Sequence, residues 1–500
     1  MAIKHNLLAL AVFAALVFQG CSGAEMSHRT SAFHRPEKAA RFFQELDRLT
    51  HLYGVGDASR FPVEGFPYLR TDRFFEALKD RIDGDAQERC WIRQMQQMDL
   101  ESRRKEIANL PKAAVTEIAD TFGMPAYENA VFQQTEFYSD QLLAQDYQNA
   151  LFVENVKRAV FVPDEYATLH RWVGLYPLAG IPVTIATTLS YGRFKKWHQS
   201  GPGELPVLGQ LMHFGPPENH PGSEAVAADP LFDPANLDVL GLPGLSQDQL
   251  HGLVKNFAPL ITQDVNAPYD RFGKVRWREG RIFIDPSSPA VYYYISFTFL
   301  NGKPALQLNY AFWYSERSGH TTPWIEKGPL DGLTYRITLA GNGQPAMLDI
   351  MNNCGCYYFI IPPKAHIHKI IIKPGEIEPL IPAWMPDEFP EKRIQLRVNS
   401  GWHQVQRVSA GDPPPQQASY ALIPYETLES LPKENGRHES VFTSKGIMKD
   451  SRRIEPYIFF SMGIPKVGFM RQRGHHAVKL VGREHFSNPF LFDKNFVYEP

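Results

Sequence analysis

Two cysteines and two histidines lie within fifteen residues in the second half of the chain. Cys354 and Cys356 form one pair, and His366 and His368 form the other. Each pair has i, i+2 spacing, which places both side chains on one face of a strand. Thiolate sulfur and imidazole nitrogen are zinc ligands, so these four residues are candidate metal ligands. Residues 362–365 predict a hairpin turn that leaves Cys356 about 16 Å down the ladder at ~3.3 Å per residue, so a shared site needs another backbone path. The alternative is a buried cysteine pair and a surface His-x-His.

The same cysteine run resembles a motif of papain-like cysteine peptidases. Residues 354–357 read Cys-Gly-Cys-Tyr, similar to that family's Cys-Gly-Ser-Cys-Trp run. His476 opens a His-Ala-Val-x-x-Val-Gly run 120 residues beyond Cys356. The resemblance implies Cys356 as the nucleophile, His476 as the base, and Asn488 or Asn495 as the orienting amide. Such a thiolate would attack an acyl carbon.

Two features of the chain depart from the peptidase pattern. Residues 357–361 predict a strand, whereas the family's cysteine opens a helix whose N-terminus helps to hold the thiolate. The helical region also precedes the cysteine in this chain. A motif outside its structural context is a weak indication of function.

A third set of polar residues lies on the predicted strands. Arg317, Asp331, Arg336 and Asp349 are close in sequence to one another. Cross-strand carboxylate–arginine pairs would form a polar groove, and two carboxylates on one sheet face could serve acid/base chemistry on a glycan. Ordinary ion pairs at strand edges are the alternative interpretation.

A fourth set is locally basic and lies near the C-terminus. Its members are Arg471, Arg473, His475, His476, Arg483, Glu484 and His485. Such a patch could contact anionic lipid headgroups or phosphate. A solvated face without a ligand is the alternative.

The first part of the mature chain has helical periodicity. Phe42, Phe43, Leu46 and Leu49 recur at three- and four-residue steps, and similar patterns continue to about residue 200. They include a helix that begins at Phe74, with Thr71 or Asp72 as its cap, and one long helix over Tyr138–Val160. We therefore expect a mainly helical domain over residues 35–200. Residues 201–270 are rich in proline and glycine and predict a linker containing a short helix over Gln247–Phe257, capped by Ser246.

From residue 271 to residue 500 the pattern becomes that of strands. Val291–Leu300 and Ala305–Tyr314 are rich in aromatic and β-branched residues and are joined by Asn301-Gly302, a strong hairpin signal. Similar turns at 341–343 and 399–401 predict two more hairpins, and Ile454–Phe460 is among the further runs that predict strands. Most of the aromatic side chains are expected in the core. The fold class predicted is α+β, with a helical N-terminal region followed by an antiparallel β-rich meander or sandwich.

The first twenty-one residues predict the location. Residues 1–20 have a short polar start and twelve apolar residues over Leu7–Phe18, typical of a secretory signal and shorter than a membrane span. Cys21 after Gly20 resembles the lipobox of bacterial lipoproteins. That resemblance implies acylation of Cys21, a tether over residues 21–34 and attachment to the bacterial envelope. Ser22 rather than aspartate favours the outer membrane, facing the periplasm.

Composition excludes one class of partner. The net charge is −2, whereas a nucleic-acid-binding protein normally has a basic excess, so we expect no nucleic-acid ligand. No cofactor is indicated, and a bound metal ion is left open. Cys90 could form a disulfide with Cys354 or with Cys356 in the oxidising periplasm.

The chain as a whole resembles uncharacterised proteobacterial envelope proteins. The segments that carry this resemblance include 65–70, 174–178, 307–313 and 330–332. The resemblance implies no activity. We expect a membrane-anchored lipoprotein with a binding or envelope-assembly role, whose partner is an envelope protein, a lipid or a glycan. The alternative is an envelope hydrolase, dependent either on Cys356 and His476 or on carboxylates.

Overall fold

The computed structural model describes residues 37–217, 229–372, 377–412 and 418–499. The predicted signal segment, the tether and Cys21 lie outside these residues. One compact unit spans Pro36–Pro500. In the part described, no helix is both long enough and apolar enough to cross a membrane.

Helices dominate the first half of this unit, and two short helices follow in the second half of the described chain. They are α1 (Glu37–Leu52), α2 (Arg73–Leu78), α3 (Asp85–Asn109), α4 (Lys112–Phe122), α5 (Glu128–Asp146), α6 (Phe152–Ala159), α7 (Thr168–Val173), α8 (Tyr176–Gln199), α9 (Gln247–Phe257), α10 (Glu455–Ile458) and α11 (Leu491–Asn495). The α+β class is confirmed, since the sheets lie in the second half.

Most helical predictions agree with the structure. Helix α1 buries the predicted apolar face, and Asp72 caps α2 by accepting hydrogen bonds from two backbone N–H groups. Ser246 caps α9, whose bounds match the prediction. The single helix expected over Tyr138–Val160 is instead two helices, because the Asn149 side chain accepts the N–H of Leu151 and turns the chain.

Two larger sheets carry the second half. The strands are β1 (Phe61–Val63), β2 (Phe66–Thr71), β3 (Gln210–Gly215), β4 (Leu260–Val265), β5 (Lys274–Arg278), β6 (Arg281–Asp285), β7 (Ala290–Leu300), β8 (Lys303–Arg317), β9 (Gly328–Leu339), β10 (Pro345–Asn352), β11 (Phe359–Ile361), β12 (Ile367–Ile370), β13 (Arg393–Val398), β14 (Val405–Gly411), β15 (Ala418–Ser419), β16 (Ala421–Pro424), β17 (Leu431–Pro432), β18 (His438–Glu439) and β19 (Phe496–Tyr498). One sheet has the order β11-β10-β9-β8-β7-β16, and the other has the order β14-β13-β4-β3-β15.

The three predicted hairpins are confirmed. Strands β7 and β8 pair antiparallel, and Asn301 and Gly302 both have positive φ, as a type I′ turn requires. Strands β9 and β10 pair across residues 340–344, and β13 and β14 pair across residues 399–404. Local turn chemistry therefore determines the meander.

Two strand predictions were wrong. Residues 362–365 do not close a hairpin, because β11 pairs with β10 whereas β12 pairs with β19 at the C-terminus. Pro362 and Pro363 have no N–H to donate to a ladder, and the chain leaves the sheet there. Ile454–Phe460, expected as a strand, contains helix α10.

The main core lies between the two larger sheets. It contains Tyr310, Phe312 and Tyr335 from one sheet and Ile261 and Leu396 from the other. Helices α8 and α9 contribute buried side chains to the same core. Strands β3 and β4 of the second sheet belong to the stretch 201–270 that was predicted as a linker. Most aromatic side chains of Val291–Leu300 and Ala305–Tyr314 are buried, as predicted.

The helical half is joined to the C-terminal segment by buried charges. Lys105 on α3 lies 2.6 Å from both Asp57 and Glu429. Arg473 binds the same Glu429 carboxylate at 2.7 Å. Each charge has an opposite partner, which offsets the cost of its burial.

Candidate functional site

A cleft of about 690 Å³ opens between the C-terminal half of α8 and the turn that joins β13 to β14. We call it the α8 cleft. Its lining includes Arg193, Lys196, Trp197, Glu204, Asp264, Asn399, Ser400, Trp402 and Gln406. The size is that of a small-molecule site, and the mixture of ring surfaces with a few polar groups is typical of one.

Helix α8 is held against the core by residues one turn apart. Phe194 is fully buried and packs against Phe359, and His198 contacts the carbonyl oxygen of Phe194 through Nδ1 at 3.0 Å. Burial lowers the pKa of His198 to about 4, so this ring is neutral. Because Phe194 and His198 face the core, Arg193 and Trp197 are available to line the cleft.

The indole of Trp402 lies at the base of the cleft. It is 2% exposed, and its Nε1 donates to Glu326 at 2.7 Å. Trp197 meets it edge-on at 5.9 Å between ring centroids, and the Arg193 guanidinium lies 5.4 Å from its ring centre. These contacts fix the orientation of both rings and of the cation.

Gln406 has an unsatisfied polar atom at the cleft. The residue is 1% exposed, and its Oε1 has no hydrogen-bond partner among the described residues. A buried acceptor without a donor costs about 1–3 kcal/mol. A donor group on a ligand would remove that cost.

The two acidic residues of the cleft are already engaged. Asp264 accepts the backbone N–H groups of Leu208 and Gly209 at 2.8 and 2.9 Å. Glu204 accepts the N–H of Gly201 at 2.9 Å. Within the described part of the chain, no ion pair involves Arg193 or Lys196, so both cations are available to an anionic group of a ligand.

A buried charge network lies beneath the cleft. Arg317 binds Asp331 through two nitrogens at 2.9 and 2.8 Å and binds Glu326 through a third at 2.8 Å. His403 lies between Asp331 and Asp270, at 2.9 and 3.2 Å. All are at most 6% exposed.

The network fixes its own protonation states. Burial opposes charge on His403, but hydrogen bonds to two carboxylates raise its pKa. The pKa of Asp331 is lowered well below its usual range, because Arg317 and His403 outweigh its desolvation. A carboxylate at each ring nitrogen thus favours the imidazolium form of His403.

The network reaches the cleft through the β13–β14 turn. Ser400 Oγ and the Gly401 N–H both donate to Asp270, at 2.9 and 2.6 Å. Ser400 and Trp402 line the cleft, so the network holds the turn that forms its base. The buried pair of Arg317 and Asp331 therefore supports the base of the cleft and does not form the open polar groove that was predicted from the sequence.

The second predicted arginine–carboxylate pair is also buried. Arg336 binds Asp349 through two nitrogens, and its guanidinium lies 3.5 Å from the ring centre of Phe486. Both charged residues are at most 2% exposed. The expected polar groove on the sheet is therefore absent at these two pairs. Phe486 of the C-terminal segment covers Arg336, whereas Glu326 and His403 lie against Arg317 and Asp331.

Cys354 and Cys356 lie close together beside Arg317. Both are free thiols, as is Cys90, and the N–H of Cys356 lies 3.3 Å from the Cys354 sulfur. Burial opposes ionisation of Cys354, but the hydrogen bond from Cys356 and the charge of Arg317 lower its pKa. The pKa of Cys356 is raised well above its usual value because its proton is held by Cys354 and it is buried.

His476 is buried and neutral. It is 4% exposed, and desolvation with the charge of Arg471 lowers its pKa to about 3. The backbone of Ala477 lies against Gly355, where an added Cβ would be 2.3 Å from the Ala477 oxygen. The two motif segments therefore meet, yet no hydrogen bond joins Cys356 to His476 among the described residues.

The two candidate amides of the peptidase motif have other partners. Asn488 Nδ2 donates to Glu484 Oε1 at 2.5 Å, and Asn495 Nδ2 donates to the carbonyl of Leu491 at 2.7 Å. A thiol of this kind is activated by an ion pair with a protonated imidazole. Here the pKa of the Cys356 thiol is raised, His476 is neutral and both amides have other partners.

The candidate metal ligands lie on separate elements. His366 contacts the backbone oxygen of Glu499 at 2.9 Å, and His368 lies 3.1 Å from the Glu499 carboxylate. The cysteine pair is buried beside Arg317. Over the described residues, no group of three or more histidine, cysteine or acidic side chains could hold a metal ion.

The C-terminal basic cluster is largely paired inside the fold. Arg471 is 2% exposed, and Arg473 binds Glu429. Arg483 binds Asp164, and His475 lies 2.7 Å from Glu165. The cluster is therefore neither a solvated face nor an open basic patch.

No protein-family model, no curated protein and no solved structure matches this chain. The assignment of function therefore depends on the geometry of the α8 cleft. Sequence reasoning missed this cleft. The one local signal was Arg193-Phe-Lys-Lys-Trp197, a basic run that follows a long uncharged stretch.

Proposed function

We propose that this protein is a lipid-anchored envelope protein that binds an acidic saccharide in the α8 cleft. The observation that carries the proposal is the buried Oε1 of Gln406, which lacks a partner in the described chain and lines the same cleft as two unpaired cations. A ligand that donates one hydrogen bond and carries negative charge satisfies both.

The chemistry of the lining narrows the ligand class. Arg193 and Lys196 favour a carboxylate, sulfate or phosphate group, and a guanidinium can bind such a group through two nitrogens. Trp197, which packs edge-on against the buried Trp402, offers ring surface next to polar atoms. A sugar ring presents apolar C–H groups on its faces and hydroxyl groups on its edge, so it suits this combination.

The anchor is proposed from the sequence. The apolar run Leu7–Phe18 followed by Cys21 supports acylation at that cysteine. The envelope is also a compartment rich in acidic saccharides bound to lipid and to cell wall. The competing proposal, a thiol hydrolase through Cys356 and His476, is supported only by the meeting of their two segments.

Calorimetric titration of the detergent-solubilised full chain tests the ligand. The probes are a uronic-acid tetrasaccharide, its neutral glucose counterpart and inorganic phosphate. We expect binding of the uronic-acid probe alone, weakened about tenfold or more by Arg193→Ala and by Trp197→Ala. Lys38→Ala, an exposed lysine on α1, is the control and leaves affinity unchanged.

Gln406→Leu distinguishes specific binding in the α8 cleft from non-specific binding to a basic surface. This change removes the unsatisfied acceptor and keeps the size, so we expect a loss of affinity together with an unfolding midpoint that is equal to or higher than that of the wild type. Equal binding of all three probes, or no effect of any cleft variant, would disprove the proposed ligand class.

A further inference from the structure

The N-terminal half of α8 exposes an unusual number of large apolar side chains. With α7 and the segment around α10 it forms what we call the apolar face. Its members are Trp172, Val173, Leu175, Leu178, Ile181, Ile185, Leu189, Ile454, Tyr457, Ile458 and Phe460. Trp172 is 78% exposed, Leu189 72% and Tyr457 85%. Clusters of this kind mark interaction surfaces, because soluble proteins rarely leave them uncovered.

The two segments of the apolar face lie side by side. Helices α7 and α8 both contact the turn Phe460–Met462. The ring of His170 lies 4.5 Å from that of Phe460, and Gly174 approaches Ser461 so closely that an added Cβ would be 2.5 Å from its Oγ. The exposed residues therefore form one surface.

Within the two segments that form this face, the exposed charges are of one sign. From Tyr166 to Gly203 the sequence has no aspartate or glutamate, while Arg193, Lys195 and Lys196 directly follow the apolar stretch. Between Ser451 and Lys466 the single acidic residue is Glu455, which is 5% exposed. An apolar surface with a basic border complements an anionic lipid surface.

We infer that the apolar face inserts into the interfacial region of an anionic phospholipid bilayer, with the exposed Lys195, which does not line the cleft, at the headgroups. Trp172 and Tyr457 suit this depth, since indole and phenol rings favour the membrane–water interface. A second copy of the chain fits this face less well than a bilayer does, because two copies docked through the same face would place like charges close together. This contact is independent of the saccharide and adds to the proposed anchor at Cys21.

Quenching of tryptophan fluorescence by brominated lipid tests the insertion. The natural full chain is reconstituted into vesicles of phosphatidylglycerol and phosphatidylethanolamine that carry bromine on their acyl chains. We expect quenching in the wild type and loss of most of it in Trp172→Phe. Trp324→Phe removes an equally solvent-facing indole, 70% exposed, and leaves the quenching intact.

A charge substitution provides the second test. Ile185→Asp at an exposed position is expected to fold normally and to weaken partitioning onto the same vesicles by about tenfold or more. Leu52→Asp, on the exposed end of α1, is the matched control and leaves partitioning unchanged.

Three results would overturn the inference. The first is an unquenched wild type, and the second is equal quenching in both tryptophan variants. The third is a dimer seen by sedimentation that Ile185→Asp dissociates, without lipid quenching, which would assign the face to a second copy. Failure of saccharide binding leaves these readouts unaffected, so the two proposals fail separately.

Discussion

The imidazole of His403 lies flat against the ring of Tyr314, with centroids 3.9 Å apart and planes inclined by 6°. The stacked ring is held in plane by carboxylates at both nitrogens, Asp331 at Nδ1 and Asp270 at Nε2. Tyr314 is itself fixed, because its hydroxyl donates to Gln263 at 2.7 Å. A cation is thus enclosed between an aromatic face and two anions.

Replacement of His403 should therefore destabilise the whole fold. His403→Leu leaves Asp270 and Asp331 buried without their shared cation, and we expect a loss of about 3–5 kcal/mol in the free energy of unfolding. Urea denaturation followed by circular dichroism measures it. His368→Ala, at a half-exposed site, is the control and should change the value by less than about 0.5 kcal/mol. A near-neutral effect of His403→Leu would mean that the network is not structural.

Glu455 should make stability depend on pH. Burial raises its pKa to about 8, with further contributions from Cys354 and Glu326, so the folded state holds a proton that the unfolded chain releases near pH 4.5. Its contribution is complete below pH 4.5 and is lost as pH rises through about 8. The raised pKa of His403 acts in the same direction above its ordinary value of 6.5.

We therefore expect the free energy of unfolding to fall by a few kcal/mol between pH 6 and pH 9. Glu455→Gln, which is neutral at every pH, should flatten much of this slope. Glu388→Gln, at an exposed position, should leave the slope as it is. Urea titrations at four pH values provide the comparison, and parallel slopes in all three proteins would contradict the assignment.

Cys90 and Cys356 should react slowly in the native protein. The pKa of Cys90 is raised to about 11 by burial and Asp238, and that of Cys356 is raised well above its usual value by its contact with Cys354 and by burial. At pH 7 we expect alkylation of Cys356 by iodoacetamide to be about a hundredfold slower than in urea. Peptide mass spectrometry locates the adduct. Fast native alkylation at Cys356 alone would instead favour the thiol hydrolase, and loss of that rate in His476→Ala would strengthen it.

Acylation should be found at Cys21. Mass spectrometry of protein purified from the native envelope is expected to give an N-terminal peptide that starts at Cys21 and carries lipid. Cys21→Ser should abolish the modification. A mature protein cut elsewhere, with an unmodified Cys21, would contradict the proposed anchor.

Local signals predicted much of the fold. The Asn301-Gly302 turn, the Ser246 cap and the periodicity of α1 each depend on neighbours within a few residues, and all three agree with the structure. Errors arose where a competing contact decides the path. Strand β12 pairs with β19 more than a hundred residues away, which no local pattern at 362–365 could indicate.

The α8 cleft could not be predicted from sequence in the same way. Arg193 and Trp402 are separated by more than two hundred residues, and their proximity depends on packing α8 onto the core through Phe194. The unsatisfied oxygen of Gln406 is likewise visible only when all its neighbours are known. Burial also changed the interpretation of Asp331 and Asp349, which sequence had placed in a groove.

Helix α8 is continuous from Tyr176 to Gln199 and carries the apolar face at one end and the cleft at the other. Ile185 and Lys196 are eleven residues apart, which is about 16 Å along the axis at ~1.5 Å per residue. With the first half of α8 at the acyl boundary, the length of the helix therefore limits how far the cleft can lie from the membrane surface. A saccharide carried on a lipid is then within reach only if its acidic group stands at that height.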